Sequence, residues 1–79
     1  MKRYKVDNAR ICVGQVIKFS IIRKNVPYIT VIDNDYTGKI KNIKNDTVTI
    51  DCSKLHDSNI QVVQLKELSN VQILEDVEQ

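Results

Sequence analysis

The sequence predicts an all-β domain of five short strands. Three observations carry this. First, Ile and Val together supply 21 of the 79 residues, against four Leu, one Ala and one Met. β-branched side chains are stiff at χ1 and suit a pleated sheet better than a helix. Second, apolar and polar residues alternate in several short runs, which is the two-residue period of a half-buried strand. Third, a chain of 79 residues is close to the lower limit for a self-sufficient core. A sheet curled into a barrel uses so few residues economically, because closure removes exposed edges.

Taken in order, residues 1–12 read as a polar, extended lead-in, with residues 13–75 as the barrel and 76–79 as an acidic tail. Gly14 suits a turn before the first strand, Gln15 to Arg23, where Ile17, Phe19 and Ile21 share one face and Lys18 and Ser20 the other. Lys24 to Asp35 contains Asn25, the sole proline Pro27 and the run Asp33-Asn34-Asp35, all turn formers. It is expected to be a long first loop, packed back on the barrel through Ile29, Val31 and Ile32. The second strand runs from Tyr36 to Lys44, with Lys39 and Lys41 outward and Ile40 inward. Asn45-Asp46 forms a two-residue hairpin turn, since both residue types tolerate positive φ. In the third strand, Thr47 to Cys52, Val48, Ile50 and Cys52 alternate with Thr47, Thr49 and Asp51. A polar connector, Ser53 to Asn59, leads to a fourth strand, Ile60 to Leu65. The space up to Ser69 admits a single 3₁₀ turn, and Val71 to Leu74 makes the fifth strand. Five strands, a long first loop, a tight central hairpin and a 3₁₀ turn before the last strand describe an SH3-like barrel, the economy of Tudor, Sm-like and chromo-barrel domains. Fold alone does not fix function.

The net charge of +2 hides an asymmetry: residues 1–44 carry ten Lys/Arg and three Asp/Glu, residues 45–79 two Lys and seven acidic residues. No apolar run approaches the ~18 residues that span a bilayer. Met1 to Lys5 lacks the apolar segment of a secretory signal, so Cys12 and Cys52 are expected as buried, unbridged thiols.

The residues supply little for catalysis. The single histidine, His56, lies in the polar connector and has only Cys52 close in sequence. Zinc needs about four ligands of Cys/His type, and the chain has three such residues. Asp33-Asn34-Asp35-Tyr36-Thr37-Gly38 imitates the start of a calcium loop, but the twelfth position, which must be a bidentate Glu, is Lys44. The two glycines, Gly14 and Gly38, form no phosphate loop. A non-enzymatic domain without metal or cofactor is expected.

Binding remains. A methyl-lysine or methyl-arginine cage takes about three or four aromatic rings. The chain has Tyr4, Phe19, Tyr28 and Tyr36. Phe19 belongs to the core face and Tyr4 to the lead-in. Tyr28 and Tyr36, with Asp33 and Asp35 beside them, form the candidate partner-binding rim, half a cage at best. Lys18, Lys39, Lys41 and Lys44 form the alternative, a basic face for RNA backbone.

Val13-Gly14-Gln15-Val16-Ile17-Lys18-Phe19 resembles the opening of the coilin-type Tudor-like domain, the C-terminal module of Cajal-body scaffolds. Pro27, Asp35-Tyr36-Thr37-Gly38, Ile60-Gln61-Val62, Lys66-Glu67-Leu68 and Ile73-Leu74-Glu75 stand where that family has its loop, second strand and closing elements. The resemblance spans Val13 to Glu75, and the connector Ser53 to Asn59 is shorter than the family's long insertion. It implies a nuclear protein-interaction module without a complete aromatic cage. It also implies docking of Sm proteins, other spliceosomal ribonucleoprotein components and the survival motor neuron protein to a Cajal-body scaffold. The alternatives are a methylarginine-reading Tudor domain and a small-barrel RNA binder.

Overall fold

A computed structural model describes residues 2–7, 9–25, 29–52 and 60–77, with the backbone alone for 24–25 and 29–35. Tyr28, Pro27 and the connector with His56 lie outside the described residues. The elements are β1 (Tyr4–Val6), β2 (Ala9–Ile11), β3 (Val16–Asn25), β4 (Ile29–Lys44), β5 (Thr47–Asp51), β6 (Ile60–Gln64), a 3₁₀ turn (Leu65–Glu67) and β7 (Leu68–Glu75). Strands β3 to β7 make one antiparallel sheet in the order β6-β5-β4-β3-β7, and β1 and β2 a separate hairpin. The all-β class, the five-stranded sheet and the 3₁₀ turn before the last strand are therefore as the sequence predicts.

The long first loop is not. The chain continues as strand on both sides of residues 26–28, and β3 and β4 pair out to Asn25 opposite Ile29. Pairing of β3 with β7 stops at Ile21 opposite Leu68. Beyond that point β3 and β4 run on as a two-stranded arm. The run Asp33-Asn34-Asp35 is a bulge instead of a loop. Phe19 pairs with Tyr36 and Ile21 with Asp33, so Asn34 and Asp35 together oppose Ser20. An extra residue in one strand bends the pair and increases its twist. The β3 strand also shifts register against β7 between Lys18 and Ser20. The consequence is visible in burial: Phe19, Ser20 and Ile21 are consecutive buried residues, which a regular strand with one face in solvent does not show.

The lead-in also differs from expectation, because it folds. Tyr4 pairs with Ile11 and Val6 with Ala9, and Asp7 takes the positive φ that a tight turn requires. Val6 and Ile11 are buried in the common core with Ile17, Phe19, Ile21, Ile40, Val48, Ile50, Val63, Leu68 and Val71. The hairpin is fastened to β7 by the Asn70 N–H, which donates to the Asp7 carboxylate at 3.1 Å.

Two backbone features fix the middle of the sheet. Asn45 and Asp46 both have positive φ, giving the two-residue turn between β4 and β5. Gly38 sits where a Cβ would come within 2.7 Å of Ile50 Cγ2 and 2.8 Å of both the Asp51 carbonyl oxygen and Cys52 Sγ. Only glycine lets β4 lie that close to β5. Cys12 and Cys52 are both buried and are not bridged.

Candidate functional site: an open strand edge beside a lysine-bearing face

The sheet has two edges, β7 and β6, and the protein treats them differently. At β7 the N-terminal hairpin is docked through Asp7 and Asn70. The chain after β7 is held by a buried amide: Gln15, fully buried, donates from Nε2 to Asp76 Oδ1 at 2.9 Å and to the Arg10 carbonyl at 3.2 Å. Its Oε1 accepts the Cys12 N–H at 2.9 Å. Arg3 reaches the same Asp76 oxygen at 3.2 Å, and the Val77 N–H donates to it at 2.7 Å. The Gln15 hydrogen bond, then the Val77 N–H, and finally Arg3 hold the Asp76 carboxyl below the usual carboxylate range, against a smaller opposing effect of burial. The residues expected as an acidic tail thus begin with a carboxylate held by both Gln15 and Arg3. The sequence reading missed Gln15. A lone polar residue at the head of an apolar run was its one signal.

Among the described residues no strand pairs with the outer side of β6. Its pairing with β5 places Thr47 opposite Gln64, Thr49 opposite Val62 and Asp51 opposite Ile60. One position further on, the Leu65 N–H donates to the Asp46 carbonyl at 2.8 Å. In an antiparallel ladder, successive residues aim their N–H and C=O groups to opposite sides. Leu65, Val63 and Gln61 therefore point theirs at β5, while Gln64, Val62 and Ile60 point theirs away. The Gln64 N–H bears this out, since it donates instead to the Glu67 carboxylate at 2.9 Å. Ile60 and Val62 expose an outward main chain together with apolar side chains that are 57% and 58% exposed. The strand Ile60-Gln61-Val62-Val63-Gln64 carries no charge. It has none of the lysines or prolines that usually protect a free edge. A shallow concavity of about 410 Å³ beside it is lined by Arg23, Thr47, Val62, Val63, Gln64 and Glu67.

The lysines of the sequence reading are all exposed: Lys18 on β3 and Lys39, Lys41 and Lys44 on β4. Lys39 and Lys41 are outward and Ile40 inward, as the sequence predicts, but the alternation does not continue past Lys41. Ile40 pairs with Ile50 and Asn42 with Thr49, so Lys41 is the extra residue of a second bulge. That bulge resets the phase, burying Ile40 and half-burying Ile43 while Asn42 and Lys44 stay exposed. Lys39 stands opposite Asp51 in the register. The strand order sets the basic-half strands β3 and β4 between the acidic-half strands β5 and β7.

The aromatic rim is altered more. Tyr36 is half-buried against the core and its ring stacks on Phe19, with centroids 5.5 Å apart at 18°. Phe19 is 1% exposed, so it adds no solvent-open wall beside the half-buried Tyr36. Tyr4 packs on the core as well, with Lys2 Nζ 5.1 Å from its ring centre. Asp33 and Asp35 belong to β4, in and beside the first bulge, where the backbone alone is described; Tyr28 lies outside the described residues. Among the described residues no group of three His, Cys, Asp or Glu side chains is placed to hold a metal ion.

Comparison with known proteins gives no match among family models, curated proteins or solved structures.

Proposed function

We propose that this chain is a non-enzymatic protein-interaction module, built as a small SH3-like barrel, that docks partners along the open edge of β6. The observation that carries the proposal is that edge: an uncharged strand with outward main-chain groups at Ile60 and Val62 and two exposed apolar side chains. A strand edge of this kind recognises extended chain by main-chain hydrogen bonding, with alternate side chains supplying selectivity.

The barrel form is supported by the connection between the two sheet edges. Four strand spacings in a flat sheet separate its outer strands by about 19 Å. The link from Gln64 to Leu68 is one 3₁₀ turn, which advances only ~2 Å per residue. The sheet must curl for β6 to hand over to β7.

The more specific form of the proposal is a coilin-type Tudor-like module that docks Sm proteins, other ribonucleoprotein components or the survival motor neuron protein to a nuclear scaffold. It rests on the resemblance at Val13–Phe19 and Asp35–Gly38. The inward stacking of Tyr36 on Phe19 supports its cage-deficient character. The test is capture of Sm proteins by the folded domain with nuclease present, for wild type and for Val62→Lys. Retention by wild type and loss in the variant is expected. Equal capture by both removes the edge from the account, and no capture removes the Sm partner.

Exposure of Lys18, Lys39, Lys41 and Lys44 favours a second reading, weak RNA-backbone binding. It predicts affinity that falls steeply with salt and drops on Lys39→Glu or Lys41→Glu. Absent or salt-independent binding ends it.

A further inference from the structure

We infer that the β6 edge pairs with the β6 edge of a second copy of this chain, joining two five-stranded sheets across a two-fold axis at Gln61. The inference rests on the docking reading above and names the occupant.

The Glu67 carboxylate sets the register. It holds the Gln64 N–H, so the outward main chain open to a new strand narrows to Ile60 and Val62. An antiparallel, two-fold pairing that uses only these residues places Ile60 opposite the partner copy's Val62, twice over. Four main-chain hydrogen bonds form and both Glu67 caps stay in place. The alternative two-fold register, centred on Val62, sets Ile60 opposite Gln64 and needs the Gln64 N–H, which requires Glu67 to let go.

Charge and side-chain chemistry fit a second copy. The strand carries no charge, so the directly paired residues bring no like charges together. The paired residues are the two exposed apolar, β-branched ones, 57% and 58% exposed, and such cross-strand pairs are favourable. The opposite edge, β7, does not compete, because the N-terminal hairpin is docked there through Asp7 and Asn70. A closed two-fold contact stops at two copies, whereas an open edge pairing head to tail continues into a filament. The contact is short, below the ~1,000 Å² of a stable interface, so the dimer is weak and forms where the domain is concentrated.

Sedimentation equilibrium over about 10 µM to 2 mM, a range suited to an interface of that size, tests it. The wild-type mass should rise with concentration from 9.1 kDa toward twice that value. I60K/V62K places Lys opposite Lys in both pairs and should weaken association at least ~tenfold. I60K/V62E places Lys opposite Glu in the Gln61-centred register and should recover most of it. Circular dichroism verifies that both variants, altered only at exposed positions, keep the fold. A wild type that stays at 9.1 kDa throughout overturns the inference, as does I60K/V62K associating like wild type. In a monomeric wild type, loss of Sm-protein capture on I60K/V62K would leave the docking reading standing while self-pairing falls. Capture unaffected by I60K/V62K would remove the edge from both.

Discussion

Replacing Gly38 by alanine adds one methyl group where β4 lies close against β5. The new Cβ would lie 2.7 Å from Ile50 Cγ2, 2.8 Å from the Asp51 carbonyl oxygen and 2.8 Å from Cys52 Sγ. Ordinary carbon contacts are about 3.5–4.0 Å, so the methyl group overlaps three atoms by roughly 1 Å. One of them is main chain and cannot turn aside by changing rotamer. Overpacking of this kind costs ~1–3 kcal/mol. Alanine recovers about 0.4–1 kcal/mol by restricting the unfolded chain, and the three simultaneous contacts place the net loss near 2 kcal/mol. For a domain of this length each kcal/mol moves Tm by about 4–8 °C, so Tm should fall by ~8–16 °C. Calorimetry or thermal circular dichroism reads this directly. Cys52→Ala removes one of the three atoms, so G38A/C52A should show a favourable coupling of ~0.5–1 kcal/mol. A Gly38→Ala protein as stable as wild type would refute the close approach of β4 to β5.

Gln15→Ala leaves the Cys12 N–H buried without its acceptor and should cost about 2 kcal/mol in urea unfolding. Gln15→Glu sets a second carboxylate beside Asp76, so its loss should be larger at neutral pH than near pH 4, where carboxylates begin to protonate. The Asp76 carboxyl is held below its unfolded value. Its contribution is therefore present above that unfolded value, about 3.9, and fades as pH falls through the lower folded one. Asp76→Asn should remove this part of the acid-range slope in stability, and an unchanged slope would show that the carboxylate is unlinked to folding. Titration with a dimethylarginine peptide should give no saturable binding; micromolar affinity would require an open ring cluster that Tyr36 and Phe19 do not provide.

The parts of the fold legible in the sequence are those where period and packing agree. Ile17, Phe19 and Ile21, and then Val48 and Ile50, are the inward residues that the two-residue period marks, although the bulge at Ser20 buries that residue too. Asn45-Asp46 announces its turn through residue types that accept positive φ. Bulges defeated the reading elsewhere. Asp33-Asn34-Asp35 has the composition of a loop because a bulge, like a turn, takes residues poorly suited to a regular ladder. Lys41 fits an alternating strand on paper, yet is the residue that breaks the alternation. The N-terminal hairpin was hidden by its charges, although Tyr4, Val6, Ala9 and Ile11 flank Asp7-Asn8 in mirror order, a hairpin signal once the turn pair is noticed. Of the candidate sites, the exposed lysines were legible and the aromatic rim was not. Whether Tyr36 faces solvent depends on Phe19 across the strand pair, a contact that the order of residues does not reveal. The β6 edge was invisible for a similar reason: Ile60 and Val62 read as ordinary strand residues until the strand order leaves β6 outermost.

The central claim is that β6 is a docking edge, and amide hydrogen exchange along that strand tests it most directly. In dilute protein the Gln61 and Val63 amides, turned toward β5, should be protected. Those of Ile60 and Val62 should exchange rapidly, and Gln64 should be slowed by Glu67. Raising the concentration of the chain, or adding a docked partner, should slow Ile60 and Val62 selectively. Protection of Ile60 and Val62 already in the dilute monomer, or rapid exchange unchanged by any partner, would contradict the account.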